Sequence, residues 1–136
     1  MDVLDAIYTR RTIARFHADL LPREEVHSVL AAGIWAPNHH LTEPWRFVIL
    51  GPETQRRLAE RYGELRMEKA SPDAAERRAR LREDGVRKFL GIPVVVAIAS
   101  LQEGDEQRRK EDYAAVCCAV QNIQLAAWAR GIGAKW

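Results

Sequence analysis

The stretch AVQNIQLAAWARGIG, residues 119–133, decides the fold because it forms most of one long and nearly all-apolar helix. We predict that this helix covers residues 112–130. Its main apolar stripe contains Tyr113, Val116, Cys117, Val120, Ile123 and Ala127 at helical spacing. The remaining surface carries Ala115, Ala119, Ala126 and Trp128. A helix that is apolar on most sides is buried within a subunit or between subunits. Gly131 and Gly133 are expected to close it as left-handed caps.

Two apolar runs upstream of this helix are predicted to be β-strands. Residues 92–100 (IPVVVAIAS) form a continuous run, which is typical of a strand covered on both faces. Residues 45–50 (WRFVIL) are rich in β-branched and aromatic side chains and precede a Gly-Pro breaker. Further helices are predicted near residues 3–8, from Pro22 to just before Pro37, over residues 53–69 and over residues 73–89.

The alternation of helices and strands predicts one domain over residues 1–136, with no internal repeat. Two strands alone would make a small sheet with exposed edges. Lys135 and Trp136 read as the start of another strand. We therefore expect either that the natural chain continues or that another chain completes the sheet.

The composition excludes several classes of protein. Of the 136 residues, 47% are hydrophobic and 29% are charged, as in soluble globular domains. No apolar run approaches the roughly 18 residues of a membrane span, and the N-terminus lacks a signal-peptide pattern. A cytoplasmic protein without membrane contact is expected. The net charge is +2, and the charged residues 56–88 mix both signs, which argues against nucleic-acid binding.

Arg10, Arg11 and Thr12 are the first candidate binding residues. Two guanidinium groups and a hydroxyl within three residues can hold a phosphate. The alternative is that both arginines are solvated charges at a helix C-terminus, where the helix dipole favours cations.

The loop between the second helix and the first strand is the second candidate. It carries Asn38, His39 and His40 and could line a ligand site; it could also be a proline-stiffened connection. Adjacent imidazoles converge poorly on a metal, and no acidic or thiol partner lies nearby in sequence, so no metal site is predicted. No phosphate loop, GxSxG motif or catalytic triad is present, and no catalytic side chain is assigned.

Four segments in order resemble the nitroreductase family of flavin enzymes, and they cover nearly the whole chain. The start RRTIARF at residues 10–16 is similar to the family's RRSxRxF. The loop and strand APNHHLTEPWRF at 36–47 are similar to AP…QPW.F. An apolar strand opens with Pro93. The helix at 119–133 is close to A.QNL.LAA.ALGLG. The APNH version of the loop is most similar to the short, minimal branch of the family.

The resemblance implies an α+β fold with a central sheet flanked by helices, and a homodimer with the long helix at its interface. It implies FMN as cofactor, with Arg10, Arg11 and Thr12 holding its phosphate and ribityl chain. Trp35 and His39 would contact the flavin from the other subunit, and Trp136 would begin a further flavin-contacting segment. The stretch assigned to the nicotinamide nucleotide matches Ala126, Ala127, Trp128, Ala129, Arg130 and Gly131. The C-terminal part of the family domain is missing from this sequence.

The implied activity is electron transfer from NAD(P)H through bound FMN to a nitroaromatic or similar small acceptor. Two alternatives remain open. The protein could use its flavin for another reaction of the family, such as dehalogenation or ring cleavage. It could instead be a non-enzymatic dimerisation or binding module that lacks the cofactor.

Overall fold

The computed structural model describes residues 1–17 and 19–136. The α-helices are α1 (Val3–Thr9), α2 (Arg23–Ala31), α3 (Pro52–Met67), α4 (Ala75–Leu90) and α5 (Glu106–Ala129). The strands are β1 (Trp45–Ile49) and β2 (Val96–Ser100), and two short 3₁₀ turns cover Ala32–Trp35 and His39–Leu41. The α+β class is therefore confirmed.

Two compact units divide these elements. The first unit comprises Met1–Arg15, Leu21–Val48 and Ala97–Trp136, and the second comprises Phe16–Leu20 and Ile49–Val96. The first unit contains every residue predicted to bind a ligand. The single domain predicted for residues 1–136 stays a prediction.

The core of the first unit lies between α5 and one face of the sheet. β1 and β2 run antiparallel, because Leu101 N–H donates to Pro44 O at one end and Leu50 N–H donates to Val95 O at the other. The core side chains are Ala36, Trp45, Ala115, Val116 and Ala119, with Phe47 and Ile98 packed against them.

The prediction that residues 92–100 form a strand covered on both faces was wrong in two respects. The strand begins at Val96. Pro93, which lacks the N–H that a ladder needs and restricts the residue before it, lies outside the strand. Its residues alternate between half-buried and exposed, with Ala97 and Ala99 exposed. In the described residues only one face of this strand is covered.

α5 is longer and less enclosed than its sequence predicted. It begins at Glu106, where the Asp105 carboxylate accepts the Arg108 N–H at 2.9 Å as an N-cap. The added turns are polar and exposed, so apolar periodicity could not reveal them. Tyr113, which was assigned to the apolar stripe, is exposed. One side of α5 packs in the core, and another side stays open in this chain.

The two glycines after α5 differ in function. Gly131 has φ of +75° and is the predicted left-handed cap. Gly133 has no positive φ, so the same prediction was wrong for it. A Cβ built at Gly133 would lie 2.8 Å from Ile13 Cγ1. Glycine at this position leaves room for the branched Ile13 side chain, which a Cβ would displace.

Candidate functional site

Arg10, Arg11 and Thr12 form a segment, called the arginine segment below, that begins where α1 ends. Arg10 is the C-cap of α1, and its backbone N–H donates to Ala6 O. The Arg10 side chain donates from Nη1 to Gln124 Oε1 at 3.2 Å. Arg11 Nη1 folds back onto the carbonyl oxygens of Tyr8 and Arg10, at 2.9 and 2.8 Å. Both guanidinium groups are thus oriented by neutral acceptors.

The C-terminal end of α5 and the chain that follows it fix this segment. Trp128 Nε1 donates to Thr9 Oγ1 at 2.9 Å. Thr12 and Ala134 form an isolated parallel β-bridge, in which Ile13 N–H donates to Ala134 O at 3.1 Å. The bridge lies at Ala134, just before Lys135 and Trp136, which were predicted to begin a strand but have no strand assignment. Residues 9–13 are held at three points by residues 124–134.

The electrostatics of this segment favour an anion. Among the ion pairs of the described residues, none involves Arg10 or Arg11. Two positive charges adjacent in sequence therefore have no carboxylate to neutralise them, and Thr12 is exposed beside them. Arginine N–H groups and a threonine hydroxyl are the donors that phosphate groups take in proteins.

The loop that carries the histidines, residues 36–44 and called the histidine loop below, has an unusual backbone. His40, Leu41 and Glu43 all have positive φ, between 42° and 56°. Residues other than glycine adopt that region at a cost and persist there only where their surroundings hold them. Asn38 Oδ1 accepts the Glu43 N–H at 3.0 Å and closes the loop on itself.

Side chains in the first half of α5 make hydrogen bonds to the same loop. Thr42 Oγ1 donates to Asp112 Oδ1 at 2.6 Å, and Asp112 is only 3% exposed. His39 Nδ1 lies 2.8 Å from Glu111 Oε2, and the His39 ring stacks on His40 with 3.9 Å between centroids. The His39 and Gln107 hydrogen bonds lower the pKa of the Glu111 carboxyl below its usual range. The loop is therefore a positioned surface rather than a loose connection.

The two groups of predicted flavin contacts do not converge within one chain. His39 is attached to α5 at Glu111, whereas Arg10 is attached to α5 at Gln124. These anchor points are thirteen residues apart on one helix, which corresponds to about 20 Å. Trp35 ends the 3₁₀ turn before the loop and is 83% exposed. Trp136 is 75% exposed, two residues after the bridge at Ala134.

The run predicted to bind a nicotinamide nucleotide lies at the end of α5. Ala127 is 2% exposed and so offers no surface to a ligand. Trp128 donates its indole N–H to Thr9, and Gly131 caps the helix. Ala126 is half-buried, while Ala129 and Arg130 are exposed. Nucleotide binding by this run stays a prediction, and its exposed members would have to carry it.

Two residues important to this arrangement were not identified from the sequence as site residues. Gln124 is one of three polar residues in the largely apolar stretch 119–129, and Asp112 stands at the first position of the predicted helix. Both are buried in α5 and hold the arginine segment and the histidine loop respectively. A buried polar side chain requires a partner, so each position was a usable signal.

Residues 1–17 and 19–136 provide neither a metal site nor a membrane span. No group of three His, Cys, Asp or Glu side chains in that part of the chain is arranged to hold a metal ion. No helix there is both long enough and apolar enough to cross a membrane.

Known proteins are similar to this chain in sequence, and solved structures among them are similar to it in fold. The Bacillus subtilis protein YfhC, named "Putative NAD(P)H nitroreductase", is 32% identical over 133 residues, which cover 97% of this chain and 66% of that protein. A nitroreductase-like family protein from Bacillus cereus has a similar structure, with a TM-score of 0.77 and 28% identity over 98% of this chain and 67% of that one.

A third similar protein, from Desulfovibrio desulfuricans, is described as a "putative nitroreductase in complex with FMN". It has a TM-score of 0.68 and 27% identity over 100% of this chain and 67% of its own. The chain thus spans about two thirds of the length of these relatives. The nitroreductase family model matches residues 7–136, and the chain therefore belongs to the nitroreductase family.

Proposed function

We propose that this protein is an FMN-dependent oxidoreductase that passes electrons from NAD(P)H to a nitroaromatic or similar small acceptor. The observation that carries the proposal is the pair of arginines, Arg10 and Arg11, oriented by neutral acceptors and paired with no carboxylate in the described residues. A similar protein that is 27% identical is described in complex with FMN. The name of YfhC supports NAD(P)H as the co-substrate.

The residues present fit the phosphate end of FMN. Arg10 and Arg11 would bind the phosphate, and Thr12 would add a hydroxyl toward the ribityl chain. When bound, FMN supplies the two-electron redox chemistry, and the protein positions it and limits access to it. This division of work agrees with a site for which the sequence assigns no catalytic side chain.

We further propose that the functional unit is a homodimer in which each flavin is held by two copies of the chain. Arg10 and His39 are attached to α5 at points about 20 Å apart. Arg10 would bind the phosphate of the same FMN whose ring His39 contacts, and the distance between their anchor points supports contacts that come from different chains. Trp35 and His39 of a second copy would complete the site begun by Arg10, Arg11 and Thr12.

A visible absorption spectrum of purified protein mixed with FMN and desalted tests the flavin assignment. We expect the desalted protein to retain a yellow colour and the visible absorption bands of oxidised flavin. Colourless protein that takes up no FMN would refute the proposal and favour a binding module without cofactor.

Arginine variants test the phosphate assignment. Arg11→Ala should weaken FMN binding about tenfold or more, because a charge-assisted hydrogen bond contributes roughly 1.5–3 kcal/mol. Arg57→Ala in α3 is the matched control, since Arg57 is also exposed and belongs to the second unit. Unchanged FMN affinity in Arg11→Ala would remove that residue from the site.

Steady-state oxidation of NADH and NADPH with nitrofurazone tests the reaction. Turnover that depends on nitrofurazone and on bound FMN is the expected result. Flavin binding without turnover on either nucleotide would contradict the reductase assignment. It would favour the alternative that the flavin serves dehalogenation or ring cleavage.

A further inference from the structure

We propose that Gln124 is a positioning residue, which aims the Arg10 guanidinium at the flavin phosphate without neutralising its charge. This inference rests on the proposed function, because it assumes that Arg10 meets the phosphate. It concerns a residue that lies outside the segment predicted to bind the flavin.

The geometry places Gln124 where it can set the direction of Arg10. Gln124 is 9% exposed and belongs to the long helix α5. Its Oε1 accepts a hydrogen bond from Arg10 Nη1 at 3.2 Å. A buried side chain on a packed helix has few rotamers open to it, so it offers Arg10 a fixed acceptor.

A second bond from the same face of α5 strengthens this arrangement. Trp128 lies four residues after Gln124, one helical turn along the same face. Its Nε1 donates to Thr9 Oγ1, on the residue just before Arg10. α5 thus contacts Thr9 and Arg10 from two consecutive turns, through the Thr9 hydroxyl and the Arg10 guanidinium.

The chemistry of an amide explains why glutamine suits the position. A guanidinium group has five N–H donors, so a single bond to an amide oxygen leaves most of them available. The amide is neutral and leaves the positive charge of Arg10 intact. A carboxylate at position 124 would orient Arg10 equally well, but it would pair with that charge and compete with the phosphate.

The contrasting explanation is that the bond only joins α1 to α5. Under that explanation, losing it would loosen the fold and weaken every flavin ligand alike. Under the proposal, losing it weakens only ligands that carry the phosphate. FMN and riboflavin differ in that group alone, so their affinities separate the two explanations.

The experiment measures the Kd of FMN and of riboflavin, by quenching of flavin fluorescence, for wild type, Gln124→Met, Gln124→Glu and Arg10→Ala. Gln124→Met keeps the length of the side chain but lacks the amide acceptor. It should weaken FMN about tenfold, as expected for one hydrogen bond to a charged group, and leave riboflavin within about twofold. Gln124→Glu should weaken FMN at least as much and reduce the salt dependence of its Kd, since Arg10 is then neutralised.

The outcomes separate this inference from the proposed function. Equal loss of FMN and riboflavin in Gln124→Met, or no loss of either, would overturn the positioning role. FMN binding as tight in Gln124→Glu as in wild type would overturn the charge argument. If Arg10→Ala selectively weakens FMN while both Gln124 variants do not, only the inference fails. Wild-type protein that binds no FMN would refute the proposed function. An Arg10→Ala variant that binds FMN and riboflavin as tightly as wild type would refute the phosphate role of Arg10.

Discussion

Asp112 is a buried carboxylate whose position on α5 decides how the histidine loop is held. Thr42 donates to its Oδ1 at 2.6 Å, and Arg108 Nε lies 3.9 Å from its Oδ2. A buried charge is tolerated only with partners that replace its hydration. The loop residue Thr42 is thereby tied to the core of the first unit, even though the loop itself is exposed.

We expect Thr42→Val to lower the free energy of unfolding by about 1–3 kcal/mol, because it removes the donor and leaves a buried carboxylate with one partner fewer. Thr42→Ser keeps the hydroxyl and is the matched control, with a loss well below that of the valine variant. Urea unfolding followed by circular dichroism measures both. Equal stability of the two variants would show that the hydroxyl contributes nothing.

The Glu111 carboxyl makes the stability of the histidine loop depend on pH. The His39 hydrogen bond, followed by the Gln107 hydrogen bond, lowers the pKa of this carboxyl. A lowered folded-state pKa means that the contact stabilises the protein above the ordinary carboxyl pKa and is lost as pH falls through the folded value. In His39→Ala the pKa of Glu111 should rise toward its ordinary value, although Gln107 still lowers it in part.

Carbon NMR of the Glu111 side-chain carboxyl, titrated from neutral to acidic pH, measures this change. Gln107→Ala is the companion variant and should raise the same pKa by a smaller amount, since the His39 contact is the larger cause. A Glu111 titration curve that is identical in wild type and His39→Ala would contradict the assignment of His39 as the main partner.

At the scale of a residue, the sequence predicted candidates by type but could not predict their partners. Arg10 was identified from its neighbours Arg11 and Thr12, whereas its bond to Gln124 joins residues 114 positions apart. Ala127 was assigned to a nucleotide-binding run, and its burial is visible only once α5 is packed. The sequence shows which chemical groups a segment carries, but the partner of each side chain depends on tertiary packing.

At the scale of an element, the hairpin of α3 and α4 depends on two glycines. A Cβ at Gly63 would lie 2.7 Å from Arg82 O and equally close to Val86 Cγ2. Gly85 of α4 faces the same point, since its Cβ would lie 3.0 Å from Gly63 Cα. The two helices therefore cross where neither has a side chain, and their backbones approach closely. Tyr62 and Phe89 pack near this crossing, with ring centroids 5.8 Å apart.

We expect Gly63→Ala to destabilise the second unit by about 1–3 kcal/mol, because the added methyl overpacks a helix crossing against backbone that cannot move aside. This loss would exceed the gain of up to about 1 kcal/mol that alanine brings inside a helix. Gly51→Ala is the control, since a Cβ there meets nothing within 4 Å and its φ is −72°. Thermal unfolding measures both variants, and a Gly63→Ala protein as stable as Gly51→Ala would argue against the close crossing.

Apolar periodicity predicted the helices and strands well and their ends less well. The predicted strand 45–50 agrees with Trp45–Ile49, and the predicted helices 53–69 and 73–89 agree with α3 and α4 within two residues. The start of α5 was missed by six residues, because its first turns are polar and its signal is the Asp105 cap. The Thr12 and Ala134 bridge could not be predicted, since it joins single residues far apart in the chain.

At the scale of the whole molecule, exposed apolar side chains support the homodimer that we propose. α1 presents Val3, Leu4, Ile7 and Tyr8 to solvent, while Ala6 is its one buried residue. Trp35 is exposed as well. Soluble proteins that expose neighbouring large apolar groups commonly cover them with a partner. This surface and the arginine segment belong to the same unit, so the proposed dimer and the proposed flavin site involve the same part of the chain.

We therefore expect the purified protein to be a dimer by size-exclusion chromatography with light scattering, and the double variant Leu4→Lys, Ile7→Lys to be a monomer at micromolar concentration. Burying two ammonium groups without partners costs several kcal/mol, which exceeds what a modest interface recovers. Leu65→Lys, Leu90→Lys is the matched control, because those side chains are comparably exposed but lie in the second unit. If the double variant and the control dissociate equally, the α1 surface is not the interface. If the double variant is a monomer yet binds FMN as tightly as wild type, one chain suffices for the flavin and the shared site is wrong.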